Sequence, residues 1–129
     1  MTRKPMRSAL DRTQGLGSAR EGIGHWWMQR VTAIALIPLT LWFAASLIAC
    51  TRGDYATLIL WLRSPFTSVL TVLLLIVLFY HMALGLQVVI GDYVHSHHIK
   101  IPAIVVIQVA SFALAVAGIV TTLRIAFGG

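Results

Sequence analysis

His81, Asp92 and Tyr93 are the residues whose types and spacing could support chemistry in this chain. His81 is the one histidine inside a long apolar run, and Asp92-Tyr93 stands where that run ends. Eleven helical steps of about 100° come to roughly three whole turns. One stripe of such a helix would therefore hold His81, Gly85, Val88 and Asp92. The imidazole and the carboxylate would lie about 16 Å apart along the axis.

Two interpretations of His81 follow from its chemistry. A polar side chain inside a membrane span is costly, so it should face the interior of a bundle or a partner chain. A neutral imidazole could be an axial haem ligand, with Gly85 leaving room for a flat macrocycle. It could equally form a hydrogen bond between helices, with Gly85 allowing close packing. A haem held by two imidazoles would need a histidine from another chain, because no other apolar run contains one.

Asp92 and Tyr93 also have two interpretations. At the end of a span, a tyrosine commonly anchors the helix at headgroup level and an aspartate is commonly solvated. A phenol can instead donate a hydrogen bond to a quinone carbonyl, while a nearby carboxylate delivers protons. A position at the water edge of the membrane suits a lipid-soluble substrate that must take up protons.

The remaining polar candidates lie near the membrane surface. Arg30 could be a positively charged anchor, or it could pair with haem propionates or polarise a quinone oxygen. His25 precedes a tryptophan pair that is typical of a headgroup belt. Three histidines in a polar loop are more often solvated than bound to a metal: His95, His97 and His98.

Composition places these residues in an integral membrane protein. The 129-residue chain is 58% hydrophobic and 11% charged, whereas soluble domains have about 45–50% apolar and about 25% charged residues. Apolar runs of spanning length occupy about residues 31–50, 66–90 and 103–126. We therefore predict an all-α integral membrane fold, with three transmembrane helices that form part of a heteromeric anchor bundle.

The basic residues indicate the topology. Six of the ten Lys and Arg residues precede the first span. With Lys100 the N-terminal side carries seven basic residues against three on the other side, so the positive-inside rule predicts a cytoplasmic N-terminus. Residues 1–24 are predicted to be a flexible basic tail, and residues 25–129 the membrane anchor domain. The charge is thus topological, and no nucleic-acid partner is expected. Asp92 and Tyr93 would face the cytoplasm, level with residues 26–30.

The connections also have recognisable signals. Residues 51–64 read as a loop whose middle, residues 55–62, is too short to span and should form a turn of interfacial helix. Ser64-Pro65 predicts the start of the second long helix, with the serine hydroxyl as its cap and proline at the first position. Pro102 is predicted to open the third helix, after a polar loop at residues 91–101.

These features together resemble the smaller of the two hydrophobic membrane anchors of bacterial succinate dehydrogenase, the hydrophobic membrane anchor subunit. The similarity covers roughly residues 16–100. It rests on the three spans, on an Arg-x-Thr-Ala motif at residues 30–33, and on a His-x3-Gly-x6-Asp-Tyr pattern at residues 81–93. The segment His-Trp-Trp-x-Gln-Arg at residues 25–30 resembles the alphaproteobacterial members. The third span matches only as an apolar helix.

The resemblance implies specific roles for five residues. A b-type haem would lie between two anchor subunits, with His81 as one axial ligand to the haem iron and a histidine of the second anchor as the other. Arg30 would approach a haem propionate. His25 lies one position from a histidine that approaches a propionate in some members, so its assignment is weaker. Tyr93 would contact ubiquinone, with Asp92 as the adjacent acid.

The resemblance also implies a place in a respiratory complex of the bacterial inner membrane. An iron–sulfur subunit and a flavoprotein subunit would hold the iron–sulfur clusters and FAD, and electrons from succinate would reach ubiquinone. The chain alone should be inactive, since it has no flavin or iron–sulfur motif. Three alternatives are a fumarate reductase-type anchor, a structural or assembly protein that uses His81 only for packing, and a transporter-type proton relay through His81 and Asp92.

Overall fold

Four helices make up the part of the chain that the structure, a computed structural model, describes. It describes residues 17–128, and for residues 17–22 only the backbone. The helices are α1 (Gly17–Cys50), α2 (Tyr55–Arg63), α3 (Pro65–Tyr93) and α4 (His97–Ala126). No strand occurs within this range, so the all-α prediction is confirmed. The predicted tail lies outside the described residues up to residue 16. Its boundary at residue 24 stays a prediction, although α1 already begins at Gly17.

Three of these helices are long and apolar enough to cross a membrane. The candidate spans are Ile23–Cys50, Pro65–Tyr93 and His97–Ala126, with mean hydropathies of 2.2, 2.5 and 2.5. At 1.5 Å per residue they are about 42–45 Å long, longer than the roughly 30 Å hydrocarbon core. Each helix therefore continues past the predicted apolar run into the headgroup region, and the three predicted spans are confirmed as the middle parts of longer helices.

The second connection differs from the predicted polar loop at residues 91–101. Helix α3 continues to Tyr93, and α4 already begins at His97, so only residues 94–96 connect them. Pro102 lies inside α4 and does not open it. A proline lacks one helical N–H, and this loss is tolerated near a helix end where the freed carbonyl belongs to an exposed residue, here His98. The prediction that Pro102 marks the helix start is therefore wrong by five residues.

The predicted short helix in the first connection is confirmed as α2. It begins at Asp54, whose carboxylate accepts hydrogen bonds from the Thr57 N–H and the Thr57 hydroxyl, both at 3.0 Å. These bonds, the backbone one first, hold the pKa of Asp54 below its ordinary value. Pro65 starts α3 as predicted, but the Ser64 side chain makes no capping hydrogen bond. The Ser64 carbonyl accepts the Ser68 N–H instead, at 2.9 Å.

Helix α3 is the centre of the fold. It packs against α1 on one side and α4 on the other, and no comparable contact joins α1 to α4 within residues 17–128. A Cβ on Gly118 of α4 would lie 3.1 Å from the Leu75 side chain of α3, so the missing side chain permits this close approach. Buried positions in the three long helices are mostly small hydroxyl residues: Thr32, Thr67, Thr71, Ser111 and Thr122. Small residues allow close helix packing in membranes.

An aromatic cluster fixes the short helix α2 against this layer. Trp61 of α2 lies 5.9 Å from Trp42 and 5.8 Å from Phe43 of α1, measured between ring centroids. Trp42 also meets Phe66 of α3 edge to face at 6.2 Å. The layer as a whole leaves most of its apolar surface uncovered, since only 6%, 17% and 6% of the three spanning windows are buried. Lipid or other subunits must cover the rest.

Candidate functional site

The site is built where α3 meets α1. His81 is half-buried on α3, and its Nδ1 lies 2.9 Å from the hydroxyl oxygen of Thr32 on α1. Thr32 is buried, with 6% of its surface exposed. Its hydroxyl also lies 2.7 Å from the backbone carbonyl oxygen of Met28 and 3.1 Å from that of Gln29. Two helices thus hold the imidazole ring in one orientation.

The hydroxyl of Thr32 determines which nitrogen of His81 carries the proton. A threonine has one hydroxyl hydrogen, and its shortest contact is with the Met28 carbonyl. If the hydroxyl donates to that carbonyl, its oxygen can accept a hydrogen bond from Nδ1–H, which gives two hydrogen bonds. If it donates to Nδ1 instead, only one forms. The first arrangement is therefore favoured, and it leaves Nε2 with a free lone pair that can bind a metal.

A pocket of about 280 Å³ lies beside His81. Its other walls are Trp26, Gln29, Arg30 and Ala33, all from α1. The Arg30 guanidinium lies 5.2 Å from the centre of the Trp26 ring, within the range of a cation–π contact. The cation is thereby held next to the imidazole, where it could pair with an anionic group of a bound molecule.

The backbone at Gly85 is open on the next turn of α3. A Cβ built at this position would meet no atom within 4 Å, so Gly85 does not serve close packing within the described chain. This excludes one of the two explanations for the glycine as far as this chain is concerned. An imidazole with a free Nε2, a nearby cation and an open backbone together fit one wall of a haem site.

Asp92 and Tyr93 are the last two residues of α3, and both are exposed, Tyr93 by 78%. They lie about 16–18 Å from His81 along the helix and do not line the His81 pocket. In antiparallel helices, the Thr32–His81 contact fixes the levels. Trp26 lies about 9 Å from that contact along α1, so Asp92 and Tyr93 lie closer to the membrane surface than residues 26–30. The expectation that they are level is wrong.

The other candidate histidines are exposed. His25 lies on α1 outside the His81 pocket. His95 is in the connection between α3 and α4, and His97 and His98 form the first turn of α4. Among residues 17–128, no group of three or more histidine, cysteine or acidic side chains is arranged to hold a metal ion.

Thr32 is the functional residue whose role sequence reasoning missed. It belongs to the Arg-x-Thr-Ala motif, but its contact with His81 depends on the relative heights of α1 and α3, which hydropathy does not set. The available signal was its polarity, since a hydroxyl residue in an apolar run tends to make hydrogen bonds at helix interfaces.

Comparisons with known proteins agree with this geometry. The family described as "Succinate dehydrogenase/Fumarate reductase transmembrane subunit" matches residues 4–117. Proteins called succinate dehydrogenase hydrophobic membrane anchor subunit are similar along most of their length. The one from Rickettsia conorii is 30% identical over 88% of this chain and 91% of its own. The Rickettsia bellii protein is 32% identical over 88% and 91%, and the Paracoccus denitrificans protein 30% identical over 89% and 88%.

The match covers α1, α2, α3 and most of α4, and so includes His81, Thr32, Arg30, Asp92 and Tyr93. With three long apolar helices, the chain is a multi-pass membrane protein. It belongs to the family of succinate dehydrogenase and fumarate reductase transmembrane subunits.

Proposed function

We propose that this chain is the membrane anchor subunit of a succinate dehydrogenase and that it forms one wall of a haem b site and one wall of a ubiquinone reduction site. The family match and the relatives' names support the anchor role. Those names also favour succinate oxidation over fumarate reduction as the working direction. The partners would be a second anchor subunit, an iron–sulfur subunit and a flavoprotein subunit, in the bacterial inner membrane with the N-terminus cytoplasmic.

The hydrogen bond between Thr32 and His81 is the observation that carries the haem proposal. It orients the ring and favours the tautomer whose Nε2 is free. A histidine used only for packing would satisfy both of its nitrogens within the chain, whereas His81 has one hydrogen-bond partner among the described residues, through Nδ1. The free nitrogen supports the ligand role.

A second axial ligand would come from the other anchor subunit. The other histidines of the described chain are exposed, near the ends of α1, α3 and α4. His81 reaches its position from the central helix, facing α1, and the apolar surface of that layer is largely uncovered. Bound between two anchors, a haem would supply a one-electron redox centre in the membrane. Arg30 would hold a propionate, and His25 could approach one from the surface turn of α1.

Tyr93 and Asp92 would act on the quinone. The phenol of Tyr93 would donate a hydrogen bond to a quinone carbonyl, which favours the more negative oxygen that forms on reduction. The Asp92 carboxylate, also exposed, would pass protons from water to the reduced quinone. Within residues 17–128 neither side chain lies in an enclosed pocket with the other candidates, so partner subunits would complete this site.

Purification through an affinity tag on this chain tests the proposal. We expect a flavoprotein, an iron–sulfur protein and a second hydrophobic subunit to copurify, with haem b and succinate–ubiquinone reductase activity. The same tag on an unrelated three-span membrane protein is the control. Copurification with the flavin and iron–sulfur subunits but without haem would reduce His81 to a packing role. A preparation without a flavoprotein would contradict the anchor role itself.

A further inference from the structure

The end of the bundle opposite Tyr93 has an open cleft that the proposed function does not use. It lies between the first turns of α3 and the last turns of α4 and has a volume of about 430 Å³. Its walls are mostly apolar, including Pro65, Val69, Val72, Leu123 and Phe127, and its lining includes one cation, Arg63. Arg63 ends α2 and directly precedes Ser64 and Pro65, so its charge lies at the membrane-surface end of the cleft.

The backbone of α4 holds Arg63 in place. Its Nε donates a hydrogen bond to the Ile125 carbonyl oxygen at 3.4 Å, where the last carbonyls of a helix favour a cation. A Cβ on Gly128 would lie 3.8 Å from Nη2, so the guanidinium rests against the end of α4. A guanidinium has five N–H donors. This bond uses one, and the four on the terminal nitrogens make no hydrogen bond to residues 17–128.

The charge around the cleft calls for an anion. This end of the bundle holds three arginines, Arg52, Arg63 and Arg124, and one acid, Asp54. The Asp54 carboxylate already accepts two hydrogen bonds from Thr57 as the cap of α2. A phosphate would match the free donors of Arg63 geometrically, since guanidinium and phosphate can form two parallel hydrogen bonds.

We propose that this cleft binds an anionic membrane phospholipid, with its phosphate on Arg63 and an acyl chain along Val69, Val72 and Leu123. The apolar walls decide for a lipid over free phosphate. Between Pro65 and Val72 the cleft extends about 10 Å along α3 toward the bilayer centre, a length that an acyl chain fills and that water or inorganic phosphate would leave unfavourably hydrated. The site is independent of haem and quinone, because it lies at the other end of α3 from Tyr93.

Native mass spectrometry of the delipidated, detergent-purified complex tests this site. We expect the complex to bind one phosphatidylglycerol per copy of this chain, tighter than phosphatidylcholine. Arg63→Gln should weaken this binding at least about tenfold, as expected for loss of a charge-assisted bidentate contact. Arg124→Gln, which removes an equal charge at the same membrane face outside the cleft, should bind as the unaltered complex does.

A second variant separates lipid binding from the structural bond to Ile125. Val69→Trp keeps Arg63 and fills the acyl part of the cleft, so it too should lose the lipid. Equal binding by the Arg63→Gln and Arg124→Gln complexes would overturn the proposal, as would unchanged binding by Val69→Trp. Displacement of the lipid by millimolar inorganic phosphate would show a plain phosphate site and overturn the lipid assignment.

Discussion

Replacing His81 with alanine should abolish the low-spin b-type haem spectrum of the purified complex. The imidazole is the one side chain of the described pocket with a nitrogen suited to bind iron, so no neighbour can substitute for it. Within this chain the change removes one hydrogen bond to Thr32, whose hydroxyl keeps its contact with the Met28 carbonyl. The reduced-minus-oxidised spectrum measures the haem, and the copurifying subunits measure assembly separately.

Thr32 gives a graded version of the same prediction. Thr32→Val keeps the shape of the side chain but removes the hydroxyl that orients His81. Loss of such a partner commonly lowers metal affinity or activity about 10–100-fold, so haem occupancy should fall without disappearing and the haem midpoint potential should shift. Thr32→Ser should restore both. Thr40→Val is the matched control, because the Thr40 hydroxyl bonds only to carbonyls of its own helix.

Two results would contradict this account of His81. An unchanged haem spectrum in an assembled His81→Ala complex would remove the ligand assignment. Thr32→Val complexes that match Thr40→Val complexes in haem content and potential would leave the ligand possible but would refute the orienting role of Thr32.

Replacing Tyr93 with phenylalanine should lower quinone reductase activity about 10–100-fold, the lower part of the range for loss of an acid–base or hydrogen-bonding group. The phenol is 78% exposed at the end of α3, so its removal should not disturb packing within this chain. Reduction of an artificial dye by succinate should stay unchanged, since that reaction takes electrons before the quinone. The ratio of the two activities is the measurement.

Tyr80→Phe is the matched control for Tyr93→Phe. Tyr80 is a half-exposed phenol on the same helix, in the groove between α3 and α4. Its variant should retain both activities, while Asp92→Asn should slow quinone reduction and spare the dye. Equal losses of quinone and dye reduction in Tyr93→Phe would place the defect in the other subunits and count against the quinone role.

Much of the fold could be predicted because apolar length decides it. A run of 20 or more apolar residues has few stable arrangements in a bilayer other than a helix, so the spans beginning near Val31, Phe66 and Ala103 were found. The short helix α2 followed from the same reasoning, since residues 55–62 are apolar but too few to cross. Pro65 was a reliable signal because its missing N–H removes nothing at a first helical position.

The helix ends and the site geometry were harder to predict. Proline at a sixth helical position costs little when the freed carbonyl is solvated, so Pro102 did not mark the start of α4. The Thr32–His81 contact and the deeper position of residues 26–30 depend on how far α1 is shifted along α3. Side-chain packing sets this shift, and no pattern within a single run reports it. The partner half of each site lies in other chains, where this sequence has no information.

The axial ligation of the haem tests the central claim most directly. Near-infrared magnetic circular dichroism distinguishes a pair of imidazoles from other axial ligand pairs, and it can be recorded on the purified complex together with haem content per copy of this chain. We predict one low-spin haem with two imidazole ligands, since His81 supplies one nitrogen and a second anchor subunit the other. A haem with a single imidazole and a different sixth ligand, or a complex without haem, would contradict the account.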